Sequence, residues 1–132
     1  MIIDADLRKP SVSKMLSLQD TEEGLSDVIL GKADLGKAIK SVNSFNVCVL
    51  ADQKGVNNPS ELLSTEKMES IIEEVRKAFD FVLIDTAPAS VVTDTSVIAG
   101  FVDAAIVVVR EDFAPYSRIR MSIEDIDSNG AE

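Results

Sequence analysis

Hydrophobic residues are spaced in two rhythms along the chain. Three short runs are nearly continuous in apolar character: residues 46–50 (Asn-Val-Cys-Val-Leu), 81–85 (Phe-Val-Leu-Ile-Asp) and 104–109 (Ala-Ala-Ile-Val-Val-Val). Such β-branched, non-alternating runs predict strands covered on both faces, as in a parallel sheet. A fourth run, Met1-Ile2-Ile3, gives way to the polar Asp4-Ala5-Asp6. Between the runs the period lengthens. Met68, Ile71, Ile72, Val75 and Phe79 recur at helical spacing within residues 58–79. Asn58 as N-cap, Pro59 at the first helical position and Glu61 three residues after the cap predict the start of that helix, and Thr65 predicts a restart as a second one. Shorter helices are predicted over residues 11–16, 25–30, 34–42 and 94–101. A last one, over residues 115–128, stops at Asn129-Gly130. Strands alternating with helices imply crossover connections and an α/β fold with a parallel sheet. With no repeat, low-complexity tract or linker, residues 1–132 are expected to form a single domain. The abrupt first strand and the clean helix stop near the other end suggest the interior of a larger one.

Composition narrows the function. The 132 residues carry a formal net charge of −10, with 45% hydrophobic and 27% charged residues, which is a globular composition. The acidic balance argues against nucleic acid or an anionic membrane face as the main partner. The one cysteine, Cys48, excludes an internal disulfide and suits a reducing, intracellular compartment. With no histidine, imidazole acid–base chemistry, Ser–His–Asp triads and imidazole metal sites are excluded. No segment approaches the roughly 20 apolar residues of a membrane span, and no signal peptide precedes Ile2-Ile3-Asp4.

The candidate chemistry lies at strand ends. Asp4 and Asp6 stand two apart, so an extended backbone projects both carboxylates to one side, with Arg8 following in the same parity. Asp85 ends the run 81–85 and is followed by Thr86-Ala87-Pro88. Ligands of open parallel sheets bind outside the carboxyl ends of the strands. Acids gathered there repel one another unless a cation or protons neutralise them, and an oxygen-only donor set suits a hard ion such as Mg²⁺. The alternative is that each Asp caps the helix or turn after its strand. Asp-x-Asp-x-Arg beside Asp-Thr-x-Pro favours the functional reading.

Residues 2–10, Ile-Ile-Asp-Ala-Asp-Leu-Arg-Lys-Pro, resemble the Walker A′ motif of bacterial tyrosine kinases of capsular and exopolysaccharide synthesis, P-loop kinases related to the partitioning and septum-placement ATPases. Residues 24–31 (Gly-Leu-Ser-Asp-Val-Ile-Leu-Gly) and 58–64 (Asn-Pro-Ser-Glu-Leu-Leu-Ser) resemble two further segments of that family, and residues 79–88 its Walker B region. The four segments follow the family's order. The resemblance implies a three-layer α/β/α, P-loop NTPase-like domain, present here as a part without its first and last strands. It implies ATP-dependent phosphorylation of protein tyrosine with Mg²⁺ bridging phosphates. Asp4 and Asp6 would be the acidic pair serving metal and base, Asp85 would position Mg²⁺ through water, and Arg8 would sit near the phosphates or tether the acids. It also implies a cytoplasmic protein held at the membrane by a transmembrane activator, the chain-length regulator of polysaccharide synthesis, and a homo-oligomeric parent.

The departures carry their own expectation. None of the six glycines falls in a Gly-x-x-x-x-Gly-Lys-Ser/Thr string, so the N–H cradle, lysine and hydroxyl of a P-loop are missing. This chain alone is therefore expected neither to bind ATP tightly nor to phosphorylate. Absence of the preceding strand should leave open sheet edges. The C-terminal tyrosine cluster of the family is also missing. Two rival functions are a partitioning-type ATPase that phosphorylates no protein and a non-catalytic docking module of a polysaccharide-assembly complex. Of the remaining residues, Tyr116 is read as the half-buried start of the last helix and Cys48 as a small core residue. Arg110, Arg118 and Arg120 form a basic cluster, read as solvated surface or, because the loop after run 104–109 is at the ligand-binding edge, as meeting adenine or a partner subunit; Arg110 is the nucleotide-binding candidate.

Overall fold

The computed structural model describes residues 1–18, 23–89 and 93–130, and they form two compact units, Met1–Ala87 and Pro88–Glu132. In the first unit, strand β1 (Ile2–Asp4) lies centrally in a sheet with β2 (Lys40–Val42), β3 (Val47–Leu50) and β4 (Leu83–Asp85), in the order β2-β3-β1-β4. β1 runs parallel to both β3 and β4, pairing Ile3 with Leu50 and Asp4 with Asp85. The run Met1–Ile3 gives β1, shifted by one residue, and the runs at 46–50 and 81–85 give the slightly shorter β3 and β4, so all three form strands as the apolar pattern predicts. Ile3, Val49 and Leu50 are fully buried, as the continuous apolar runs of β1 and β3 predict, but β4 is not covered on both faces as its run predicts: it lies at the sheet edge with Leu83 61% exposed.

The helices of this unit are α1 (Val12–Met15), α2 (Leu25–Ile29), α3 (Leu35–Ala38), α4 (Pro59–Leu63) and α5 (Glu66–Ala78). The predicted break at Thr65 is present: its extended backbone ends one helix, and its Oγ1 accepts from Met68 N at 3.3 Å to cap the next. Met68, Ile71, Ile72 and Val75 of α5 are buried, and the glutamates between them face solvent. Burying each such side chain contributes about 1.5–3 kcal/mol. Leu25 and Val28 of α2 are buried as well, and that helix packs against α3 and α5.

Three expectations are corrected. Residues 34–42 do not form one helix: α3 stops at Ala38, Ile39 turns extended (ψ 124°), and Lys40–Val42 becomes β2, antiparallel to β3. The hairpin closes over residues 43–46, with Asn46 at φ 51°. Ladder bonds to β3 outweigh the weak helical pattern of Ala38 and Val42, and the sheet is consequently mixed. Asn58 holds the N-cap position of α4 with Pro59 at its first residue, as predicted, but its side chain makes no cap bond: it sits at φ 54°, because the following Pro59 disfavours the right-handed region and Asn tolerates the left-handed one.

The third correction concerns run 104–109. No strand forms there, and Ile106 and Val108 are 86% and 89% exposed. β-branched residues favour extended backbone, but a strand also needs a neighbour, and among the described residues no ladder includes this run.

The second unit contains α6 (Asp94–Ala99) and α7 (Tyr116–Ser128), which pack together around Ala99 and Ile126 with Val102 and Ala105 against them. Gly130, at φ 99°, ends α7 at the predicted stop. Tyr116 does start α7, but at 78% exposure it is not half-buried. Among the described residues no helix is long and apolar enough to cross a membrane.

Candidate active-site rim

The parallel pairing of β1 with β4 places Asp4 directly beside Asp85 at the carboxyl end of the sheet, and Asp6 follows two residues beyond. Ala5 N donates to Asp85 O at 2.7 Å, so the chain stays coupled to β4 just past the strand end. The three predicted carboxylates do share one rim, but their surroundings differ sharply.

Asp4 is fully buried. Its Oδ2 accepts from Ser11 N and Val12 N, both at 2.9 Å, and its Oδ1 from Asp6 N at 3.2 Å. It therefore stitches β1 to the first turn of α1, satisfying N–H groups that a helix start leaves open. Burial pushes its carboxyl above the usual range, the three N–H donors pull it back, and the charge of Asp6 adds to the rise.

Asp6 is half-buried, and its Oδ1 accepts from Arg8 N at 3.2 Å and Lys9 N at 3.0 Å, closing a tight turn. Asp85 is exposed at the rim, yet its carboxyl is raised, first by partial desolvation and then by the charges of Asp4 and Asp6. That mutual repulsion is what a cation at the rim would relieve.

The three carboxylates differ in what they could offer a metal ion. Among the described residues no group of three or more His, Cys, Asp or Glu is arranged to hold a metal ion. Asp4, buried and committed to three N–H donors, serves the fold in the way the capping alternative supposes. An oxygen-only pair, Asp6 and Asp85, fits a hydrated Mg²⁺ reached through water, since this ion keeps several of its waters.

The loop after β3 completes the rim. Val56 N donates to Leu7 O at 2.9 Å, a Cβ at Gly55 would run into the Arg8 carbonyl, and the Arg8 guanidinium donates from Nη2 to Ser60 Oγ at 3.0 Å. Arg110 belongs to the second unit, where its guanidinium stands 5.6 Å from the Phe113 ring centre.

Asp52, which lies in none of the motifs, is a further functional-looking acid of this rim. Nearly buried just beyond β3, it accepts from Ser26 N at 3.0 Å and Ser26 Oγ at 2.5 Å, while its carbonyl accepts from Ser13 Oγ at 3.1 Å. It ties α1 and α2 to the sheet. Burial raises its carboxyl, the Ser26 bonds oppose this, and Asp27 and Asp4 add repulsion. Gly24 is demanded here, because a Cβ would fall 2.5 Å from Asp52 Oδ1 and 2.9 Å from its Cα. The signal was available: Asp52 follows an apolar strand as Asp4 and Asp85 do.

The fold that carries this rim is a P-loop NTPase-like α/β fold. The AAA domain family model matches residues 1–127, and the chain belongs to that family. Tyrosine-protein kinase YwqD of Bacillus subtilis (strain 168) is 35% identical over 109 residues, covering 83% of this chain and 46% of that protein. The kinase domain of Escherichia coli tyrosine kinase ETK superposes with a TM-score of 0.92 at 28% identity, over 99% of this chain and 51% of that one. The septum site-determining protein MinD of Pyrococcus horikoshii OT3, complexed with Mg-ADP, shares the fold at a TM-score of 0.78 and 23% identity, over 98% of this chain and 53% of that one. The chain thus spans about half the length of the proteins it matches here.

Proposed function

We propose that this chain is the Walker A′-to-Walker B part of a bacterial tyrosine kinase of capsular or exopolysaccharide synthesis, working as one domain with the remaining sequence of its parent. The observation that carries this reading is the pairing of Asp4 with Asp85 across β1 and β4, with Asp6 beside them. Similarity to YwqD and ETK supports the kinase class. ATP and Mg²⁺ are the expected cofactors. When bound, the ion supplies charge neutralisation at the phosphates. Asp6 and Asp85 would hold the ion through its waters, Asp6 would be the candidate base toward the tyrosine hydroxyl, Asp4 fixes the turn that carries Asp6, and Arg8 would offer positive charge to the phosphates. Arg110 is retained as the nucleotide-side candidate of the second unit. A cytoplasmic location at the membrane, a transmembrane chain-length regulator as partner and homo-oligomerisation belong to the same reading.

Two experiments test it. In the full-length gene product, γ-labelled ATP with Mg²⁺ should place label on tyrosine, and Asp6→Asn should abolish it. Release of free phosphate alone would instead favour the partitioning-type ATPase, a reading that the MinD-like fold keeps open. No label and no phosphate would favour the docking module. The 132-residue chain, which has no Gly-x-x-x-x-Gly-Lys-Ser/Thr string, should show no micromolar ATP–Mg²⁺ binding by calorimetry; such binding would overturn the expectation of inactivity.

A further inference from the structure

We infer that Ser60 is a positioning residue for Arg8, holding the A′ guanidinium at the rim from the first turn of α4. The inference rests on the proposed role of Arg8 toward phosphate. Arg8 is a long, exposed side chain on a turn, and a side chain of this type loses on the order of 2 kcal/mol of rotamer freedom when it is fixed. A group that holds it in advance lowers that cost at the moment of binding.

The structure supplies such a group through an unbroken path. The backbone of the A′ turn is set by Asp6, which accepts from Arg8 N and Lys9 N. The facing loop is locked onto that turn by the Val56 N to Leu7 O bond and by the close approach of Gly55 to the Arg8 carbonyl. Pro59, buried at the start of α4, anchors the helix, and Ser60 directly after it reaches Arg8 Nη2 at 3.0 Å. Two segments 52 residues apart in sequence therefore fix both ends of one side chain, its backbone and its guanidinium. Ser60 bears on the rim through its bond to the Arg8 guanidinium.

A double-mutant cycle in the full-length gene product tests the idea, with labelled tyrosine as readout. Arg8→Ala should lower kcat/KM strongly. Ser60→Ala should lower it about three- to tenfold, the size expected for one partly exposed hydrogen bond to a charged group, mainly through KM for ATP. Ser60→Thr should restore it. In the Arg8→Ala background Ser60→Ala should have no further effect. If the Ser60 effect persists there in full, or Ser60→Ala is silent in the Arg8 background of the natural sequence, the inference fails while the kinase reading stands. If Arg8→Ala is itself silent, both the role of Arg8 and the inference fail. A second readout needs no activity: in the 132-residue chain, the Arg8 Nε–H heteronuclear NOE should drop in Ser60→Ala and recover in Ser60→Thr. An unchanged value overturns the inference.

Discussion

Asp4 offers the sharpest test of how this rim is built. Asp4→Ala removes one carboxylate and leaves three N–H groups without their acceptor, those of Ser11 and Val12 at 2.9 Å and of Asp6 at 3.2 Å. The Val12 bond is buried, and an unpaired buried N–H costs about 1–3 kcal/mol. The partly buried Ser11 N–H at the start of α1 adds about 1 kcal/mol, as the loss of a helix cap does. Removing a carboxyl whose charged form is disfavoured by burial offsets part of this. The net expectation is a loss of about 2–3 kcal/mol, a large share of the roughly 5–15 kcal/mol that holds a domain folded. Asp4→Asn keeps one acceptor oxygen and should lose about half as much. Urea unfolding followed by far-UV circular dichroism gives the answer: with a slope of about 2 kcal/mol per molar, Asp4→Ala should lower the midpoint by about 1 M at unchanged slope. Midpoints indistinguishable between Asp4→Ala and the unaltered chain, or Asn more damaging than Ala, would refute the assignment of Asp4 to the backbone network.

Gly24→Ala drives a methyl group into Asp52 and should destabilise by about 1–3 kcal/mol, which the same urea titration measures. Thr65→Ala should cost about 1 kcal/mol and fray the start of α5, seen as faster amide exchange at Met68. Asp85 has a folded-state pKa above its ordinary value of 3.8, so the native state holds the proton more tightly than the unfolded chain does, and its penalty appears as pH rises from about 3.8 through the raised value. Asp85→Asn should therefore match the unaltered chain below that window and exceed it in stability above it; an advantage that shrinks as pH rises would contradict the assigned repulsion.

The parts of the fold legible in the sequence are those whose signal is local or covers both faces of an element. Run 46–50 and the 3.6-residue rhythm from Met68 to Val75 announce elements whose burial is set by their own residues, whereas run 81–85 announces a strand but not its exposure, which follows from its place at the sheet edge. Thr65 announces a boundary because its hydroxyl can reach an N–H three residues on. β2 was hidden because Lys40-Ser41-Val42 has no strand character until β3 offers it a ladder. The run 104–109 misled in the opposite direction, carrying the composition of a strand without a neighbour among the described residues. The site shows the same division. That Asp4, Asp6 and Asp85 share a rim followed from strand ends alone. Their separate roles did not, because the difference between Asp4 and Asp6 lies in which N–H groups come back to meet them, and those are set by the path of α1. Ser60 was read only as part of a helix start, since its partner is remote in sequence.

The two borders of the sheet are not alike. On one side β2 ends the array with Lys40 and Ser41, a short, polar hem that discourages another chain from joining. On the other, β4 presents Leu83 at 61% exposure with Phe81 just before it at 81%, and no further ladder among the described residues. Self-association of this polypeptide at high concentration should accordingly start from the β4 side, and a lysine at position 83 should keep samples clear where the natural leucine turns them cloudy.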